Sequence, residues 1–408
     1  MKPLEGIRVV DLTTYLAAPT TVRVLGEWGA ECIKIEPPKG DPARTQGAVF
    51  NMPYSDEENL AFDVANLNKK FVTLDLKTET GREVAYRLLE RADVFVTSTR
   101  TKSLKKMGLD YDTLKEKFPR LVFAQILGYG EKGPEKDSAG FDVTCYMARG
   151  GVFGTTVNRG DAPMIPTNGF GDFQASMVLA SGVCAALYNR ARTGCGDKVT
   201  VSLLHAATFM LSTGIISAQY GNPYPKNRRE VINPFNNVYR TGDDKWIVIC
   251  CPEYDRDFNR LMTLLGRADL VDSPEYSNCA EVNARGEIGK VVDILDECFA
   301  RLTQKEALAL FKQNDLPCEA AHEPLDIYED EQVWANDFLT KIHYPNAERN
   351  LATNPVCFAS MGKPEYIVGG RQGEHTVSVM RELGYSAEEI DRAIREGAVE
   401  DAKPLKRL

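Results

Sequence analysis

Short apolar runs alternate with helix-period segments along the first half of the chain. Residues 7–12, 32–36, 71–76, 94–97 and 121–126 are mostly rich in Val, Ile or Leu on consecutive positions, the pattern of strands buried on both faces. Residues 80–92 and 103–117, between such runs, predict helices. Residues 198–203 predict a further strand, and 205–220 a helix after it. Alternation of this kind predicts βαβ units around a mainly parallel sheet, an α/β fold.

Pro and Asn break residues 221–240, which predict a domain boundary. Past it, residues 246–251 predict a strand, and 254–266, 283–302 and 304–314 predict helices, a smaller α+β unit. The tail predicts helices over 325–339, 374–383 and 387–396, the last opened by Ser386 as its N-cap. The expected division is a large α/β domain over 1–220, a small α+β domain over 221–324 and a C-terminal segment over 325–408.

Composition narrows the class. Of the 408 residues, 43% are hydrophobic and 26% charged, proportions that exclude a fibrous repeat and a largely disordered chain. The net charge of −9 gives no general attraction to nucleic acid or anionic membrane, so a polyanionic ligand needs a locally positive site. The ten cysteines contain no CxxC pair, and His205, His322, His343 and His375 follow no ligand spacing. Free thiols and no metal are therefore expected. Residues 1–6 lack the basic-then-apolar pattern of a signal peptide, and the longest apolar stretch, 177–188, falls short of the ~20 residues that span a bilayer. The expectation is a cytoplasmic protein with neither membrane nor nucleic acid as partner.

Three segments carry candidate chemistry. Gly128-Tyr129-Gly130-Glu131-Lys132-Gly133 matches GxGxxG after a strand, but a polar turn follows it where a dinucleotide site needs an apolar helix. Asp172, within Asn168-Gly169-Phe170-Gly171-Asp172, precedes the most apolar helix of the chain. By itself it predicts an N-cap that accepts the helix's free N–H groups. The same position suits a carboxylate nucleophile with glycines clearing space for an electrophilic carbonyl. Arg100, Lys102, Lys105 and Lys106 follow the strand 94–97 and together supply local positive charge, as does Arg44 in its turn. His205 falls on the apolar side of its predicted helix and is expected to be packed.

The ordered set of these segments resembles CoA-transferase family III, the formyl-CoA and carnitine-CoA transferase group. The resemblance runs nearly end to end, from Pro3-Leu4-Glu5-Gly6-Ile7 and Gly29-Ala30-Glu31-Cys32-Ile33 through Asn68-Lys69-Lys70, Leu74-Asp75-Leu76-Lys77 and Gly128-Tyr129-Gly130 to Gly373-Glu374-His375-Thr376. It implies that Asp172 is the acyl-accepting nucleophile, capping its helix as well. It also implies that Leu16, Ala17, Leu74, Asp75, Leu76, Lys77, Ser98, Thr99, Lys106, Gly128, Tyr129 and Gly130 contact CoA. Pro37 and Leu127 stand where formyl-CoA transferase carries basic residues, so Arg44, Arg100 and Lys105 become candidates for the phosphates. The implied fold is a large Rossmann-like domain built from both chain ends, a smaller inserted domain and an interlocked homodimer. CoA is substrate, and no metal or redox cofactor is implied.

Arg100-Thr101-Lys102, Gly140-Phe141-Asp142 and the segment 330–339 are similar to the 2-hydroxyacid CoA-transferases of amino-acid-fermenting anaerobes, which act on phenyllactate or 2-hydroxyisocaproate. Phe173 departs from the His expected there and is a candidate to reshape the acyl pocket. A carnitine-like or dicarboxylate acceptor is the alternative. An α-methylacyl-CoA racemase needs a histidine where Phe141 stands. A CoA-ester carrier would leave Asp172 without a role. Glycine turns at Gly150-Gly151 or Gly169–Gly171 are the candidate oxyanion donors.

Overall fold

The computed structural model describes residues 2–405. Twelve strands are found among them: β1 (Arg8–Leu12), β2 (Glu31–Glu36), β3 (Lys69–Leu74), β4 (Val94–Thr97), β5 (Val122–Leu127), β6 (Lys198–Ser202), β7 (Asn236–Arg240), β8 (Trp246–Cys250), β9 (Cys318–Ala320), β10 (Leu339–Tyr344), β11 (Ala347–Ala352) and β12 (Val399–Glu400). Strands β1–β6 are parallel, and β12 adds an antiparallel edge beside β3, giving the order β12-β3-β2-β1-β4-β5-β6. Burial on both faces explains the continuous apolar runs: Val9, Val10, Val94, Val96, Val122 and Ala124 are fully enclosed.

The chain divides into two compact units: Met1–Val152, Ile165–Ile215 and Gln332–Leu408 form the larger, Phe153–Met164 and Ile216–Glu331 the smaller. Residues 153–164, expected in the large domain, therefore belong to the smaller unit. The smaller unit holds the antiparallel sheet β7-β8-β9, with helices Tyr254–Leu264, Ile288–Phe299 and Gln304–Gln313 around Phe235, Tyr239, Phe258 and Phe299. A Thr303–Glu306 capping box starts the helix Gln304–Gln313, and a Ser386–Glu389 box starts Ala387–Arg395 in the larger unit.

Several predicted helices are cut shorter. The run 103–117 is two helices, Thr101–Met107 and Tyr111–Lys117, because Gly108 takes a left-handed conformation that ends the first. The run 205–220 is likewise split, into Leu203–Met210 and Ser212–Gln219, and His205 is exposed rather than packed. Residues 325–339 hold only two short pieces, the 3-10 turn Asp326–Tyr328 and the helix Glu331–Ala335, and the hairpin β10-β11 starts at Leu339, closed by the two residues Pro345 and Asn346.

The helix Phe170–Thr193 is, among the described residues, the one long and apolar enough to cross a membrane by length and composition. Ala175, Leu179, Ala180 and Val183 are buried, and Thr21 Oγ1 on the helix Ala17–Glu27 donates to the Ser176 carbonyl at 3.2 Å. Its small residues let the two helices approach closely. Gly194, at φ +78°, ends it.

Candidate active site

Strand order reverses between β1 and β4, since the chain leaves β1 for β2 on one side and later returns on the other. Parallel sheets bind ligands beyond the carboxyl ends of the strands at such a switch point. A cavity of about 250 Å³ lies there. It is lined by the turn Thr14 to Ala18 after β1, by Ser98 and Arg100 after β4, by Ile126 to Gly128 ending β5, and by Lys136, Phe141 and Asp172.

A buried ionic network holds the β1 side of this cavity. Lys69 Nζ pairs with Asp11 at 2.9 Å, Lys34 Nζ with Asp41 at 2.9 Å and Arg44 with Glu36 at 2.7 Å. All six residues are buried. Asp41 Oδ1 also accepts the Tyr15 backbone N–H at 3.1 Å. Tyr15 sits at φ +64°, a conformation costly for a side chain with a Cβ and maintained by this bond. Its ring meets Phe141 edge-on at 5.5 Å. The next residue, Leu16, offers no side-chain cap to the helix Ala17–Glu27, so the N–H groups of Ala17 and Ala18 carry no hydrogen bond to the described residues where they border the cavity.

Asp172 lies in the first turn of its helix, not at the N-cap, which is Gly169. The expected cap is therefore absent: the carboxylate of Asp172 accepts no hydrogen bond from the described residues. Amides of that first turn go instead to Asp142, whose Oδ2 accepts Gly169 N–H at 3.0 Å and Oδ1 accepts Gly171 N–H at 2.9 Å. The same two bonds remove Gly169 and Gly171 as oxyanion donors. Glycine is required at both positions. Gly169 has φ +81°, and a Cβ on Gly171 would lie 2.1 Å from the Tyr146 ring and 2.5 Å from Asp142 Oδ1. Burial, and then the negative charge of Asp142, push the Asp172 carboxyl up to about 7. Burial also raises Asp142, but the backbone N–H groups it accepts oppose that rise.

Of the residues singled out from the sequence, Leu16, Ala17, Ser98, Arg100, Gly128 and Asp172 line the cavity, while Thr99, Lys106, Tyr129 and Gly130 do not. Leu74 is enclosed, and Asp75, Leu76 and Lys77 follow it past β3, two strands from β1 on the same carboxyl edge. Lys105 and Lys106 are exposed on the helix Thr101–Met107. Arg44 is buried against Glu36 and the Gly370 carbonyl and is not a free phosphate ligand. Phe173 does not line the cavity; Tyr15 and Phe141 are its aromatic walls. Sequence reasoning missed Tyr15, Lys136 and the role of Asp142. The only signal for the last was its place beside Phe141 in Gly140-Phe141-Asp142.

Residues 4–369 match the model of CoA-transferase family III. The chain is 45% identical over 391 residues to cinnamoyl-CoA:phenyllactate CoA-transferase of Clostridium sporogenes, covering 95% of each chain. It is 42% identical to (R)-2-hydroxy-4-methylpentanoate CoA-transferase of Clostridioides difficile, covering 95% of this chain and 97% of that one. Among solved structures, a CAIB/BAIF family protein from Brucella suis is similar at a TM-score of 0.77 and 26% identity, over 94% of this chain and 99% of that one. The protein belongs to CoA-transferase family III. It is a CoA-transferase, with CoA thioesters and carboxylic acids as its substrates.

Proposed function

We propose that the protein moves CoA reversibly from an acyl-CoA to a 2-hydroxy acid with a branched or aromatic side chain, through an aspartyl-CoA thioester on Asp172. The observation that carries this reading is the Asp172 carboxylate, bare of hydrogen bonds at the wall of the switch-point cavity. The substrate class rests on the two relatives, which act on phenyllactate and 2-hydroxy-4-methylpentanoate, and on the aromatic wall of Tyr15 and Phe141.

Asp172 Oδ attacks the thioester carbonyl, the C–S bond breaks, and a mixed anhydride and CoA thiolate form. The thiolate attacks Asp172 Cγ, the anhydride C–O bond breaks, and the first acid leaves as its carboxylate. The incoming carboxylate then attacks the aspartyl-CoA carbonyl and expels the thiolate. Attack of that thiolate on the new acyl carbon releases the product thioester and restores Asp172. The uncapped N–H groups of Ala17 and Ala18 are the candidate donors to the developing oxyanion. Arg100 and Lys136, which have no ion-pair partner among the described residues, are candidates for the CoA phosphates. The remaining expected contacts, from Leu74 to Lys77 and at Lys106, extend that surface along the sheet edge. The working form is an interlocked homodimer, for which native light scattering is expected to give twice the chain mass.

Incubation with cinnamoyl-CoA followed by intact-mass analysis is expected to show a CoA-sized adduct on the peptide containing Asp172, trapped as a hydroxamate by hydroxylamine. Asp172→Ala is expected to abolish both adduct and transfer, a loss of at least about a thousandfold, while still binding the thioester. Turnover without adduct, accompanied by α-proton exchange, would replace this reading with a racemase.

A further inference from the structure

We infer that Asp142 is a positioning residue for the nucleophile: it takes the amides at the start of the helix Phe170–Thr193, so that the carboxylate of Asp172 is left bare and faces a second negative charge. The inference rests on the reading of Asp172 as nucleophile. A carboxylate in the first turn of a helix ordinarily gains from free N–H groups and from the positive end of the helix dipole. Both stabilise its charge and make it a poorer nucleophile. Here Asp142, 27 to 29 residues upstream, already holds the amides of Gly169 and Gly171 with its two oxygens.

The segment that carries Asp142 is docked by a second contact. Tyr146 Oη donates to Gln174 Oε1 at 2.6 Å, and the Tyr146 ring fills the space a side chain at 171 would need. Asp142 begins a wide, π-type turn, Asp142–Arg149, of the kind found at functional sites. Its carboxylate is buried and has no ion-pair partner among the described residues. The other ionisable groups lining the cavity are Tyr15, Arg100 and Lys136, and neither cation forms an ion pair with Asp172.

Two like charges in one low-dielectric site destabilise the free carboxylate of Asp172. Acylation of Asp172 to the anhydride or the thioester removes its charge and relieves that repulsion. Asp142 therefore favours the covalent forms over the resting one, without touching the substrate.

The test compares the rate of the CoA-sized adduct formed from cinnamoyl-CoA in the native protein and in Asp142→Asn, across pH 5 to 9, with thermal unfolding as a fold control. In the variant the adduct is expected to form about tenfold more slowly at pH 8, with the acidic midpoint of the rate moved down by about one pH unit. Should Asp142→Asn fail to fold, Asp142→Ser keeps one acceptor without the charge and is measured instead. An unchanged rate and midpoint overturn the inference. A slower rate with an unmoved midpoint overturns it as well, because that is what a purely structural latch produces. If the native protein forms no adduct at all, the reading of Asp172 falls first, and the role of Asp142 with it.

Discussion

The two sheets of this protein treat charge in opposite ways. In the smaller unit, β7 and β8 alternate exposed and buried residues, and the inner face meets a core of aromatic and aliphatic side chains. Asp257 is the one buried ionisable side chain among that unit's described residues apart from Tyr and Cys, and it pairs with Arg256. In the larger unit, Asp11, Lys34, Glu36, Asp41, Arg44 and Lys69 are all buried, on β1–β3 and the turn after β2. Enclosing ion pairs gains little net stability over apolar packing, yet breaking one is costly. Their use here is geometric: the network maintains the strained Tyr15 turn that borders the cavity. Across the cavity, Arg100, Lys136 and Asp172 have no ion partners among the described residues. Paired charges build the wall, and unpaired ones line the cavity.

Breaking a pair in the wall is the strongest test of this contrast. Lys69→Met strands the Asp11 carboxylate and leaves the Asn66 side-chain oxygen and Pro19 carbonyl without their donor. It is expected to cost about 3–5 kcal/mol in chemical unfolding. Neutralising the unpaired carboxylate works in the opposite direction. The folded pKa of Asp172, about 7, lies above its ordinary 3.8. Its carboxylate ionises first in the unfolded chain, so stability is lost as pH rises from about 4 to 7. Asp172→Asn is therefore expected to be about 2 kcal/mol more stable than the native protein at pH 8, with the gain vanishing near pH 4, while transfer is lost. Thermal melts across that range check both the sign and the window. The smallest effect belongs to the outer face of the other sheet. Val248→Thr, at a position 36% exposed, is expected to change stability by no more than about 0.5 kcal/mol.

Much of the larger unit was legible because its signals are local. Strands β1, β2, β4, β5 and β6 lie within a residue or two of their apolar runs, since a strand enclosed in a parallel sheet is mostly apolar. β3 is displaced toward Lys69, whose charge conceals a strand start that Asp11, a distant partner, makes tolerable. The hairpin β10-β11 was hidden because Leu339–Tyr344 and Ala347–Ala352 are mostly polar and half-exposed. Their pairing is with each other rather than with a core-facing pattern. Helix ends were overrun wherever a single glycine or bend decided them, as at Gly108.

At the site, the residues themselves singled out the glycine turn and Asp172, and the ordered motifs assigned the chemistry. What those residues do for one another was decided by tertiary structure. Local rules make Asp172 the cap of its own helix, because a carboxylate in a first turn has amides within reach. The fold instead brings Asp142 to the Gly169 and Gly171 amides of that turn, 27 and 29 positions along the chain, and leaves Asp172 bare. It likewise commits Arg44 to Glu36 and leaves Arg100 and Lys136 unpaired at the cavity. A sequence determines which side chains carry charge and which backbone stretches can be buried. Whether a given charge is satisfied or left bare depends on which distant groups the packed sheet brings within about 3 Å, the range at which hydrogen bonds and ion pairs act.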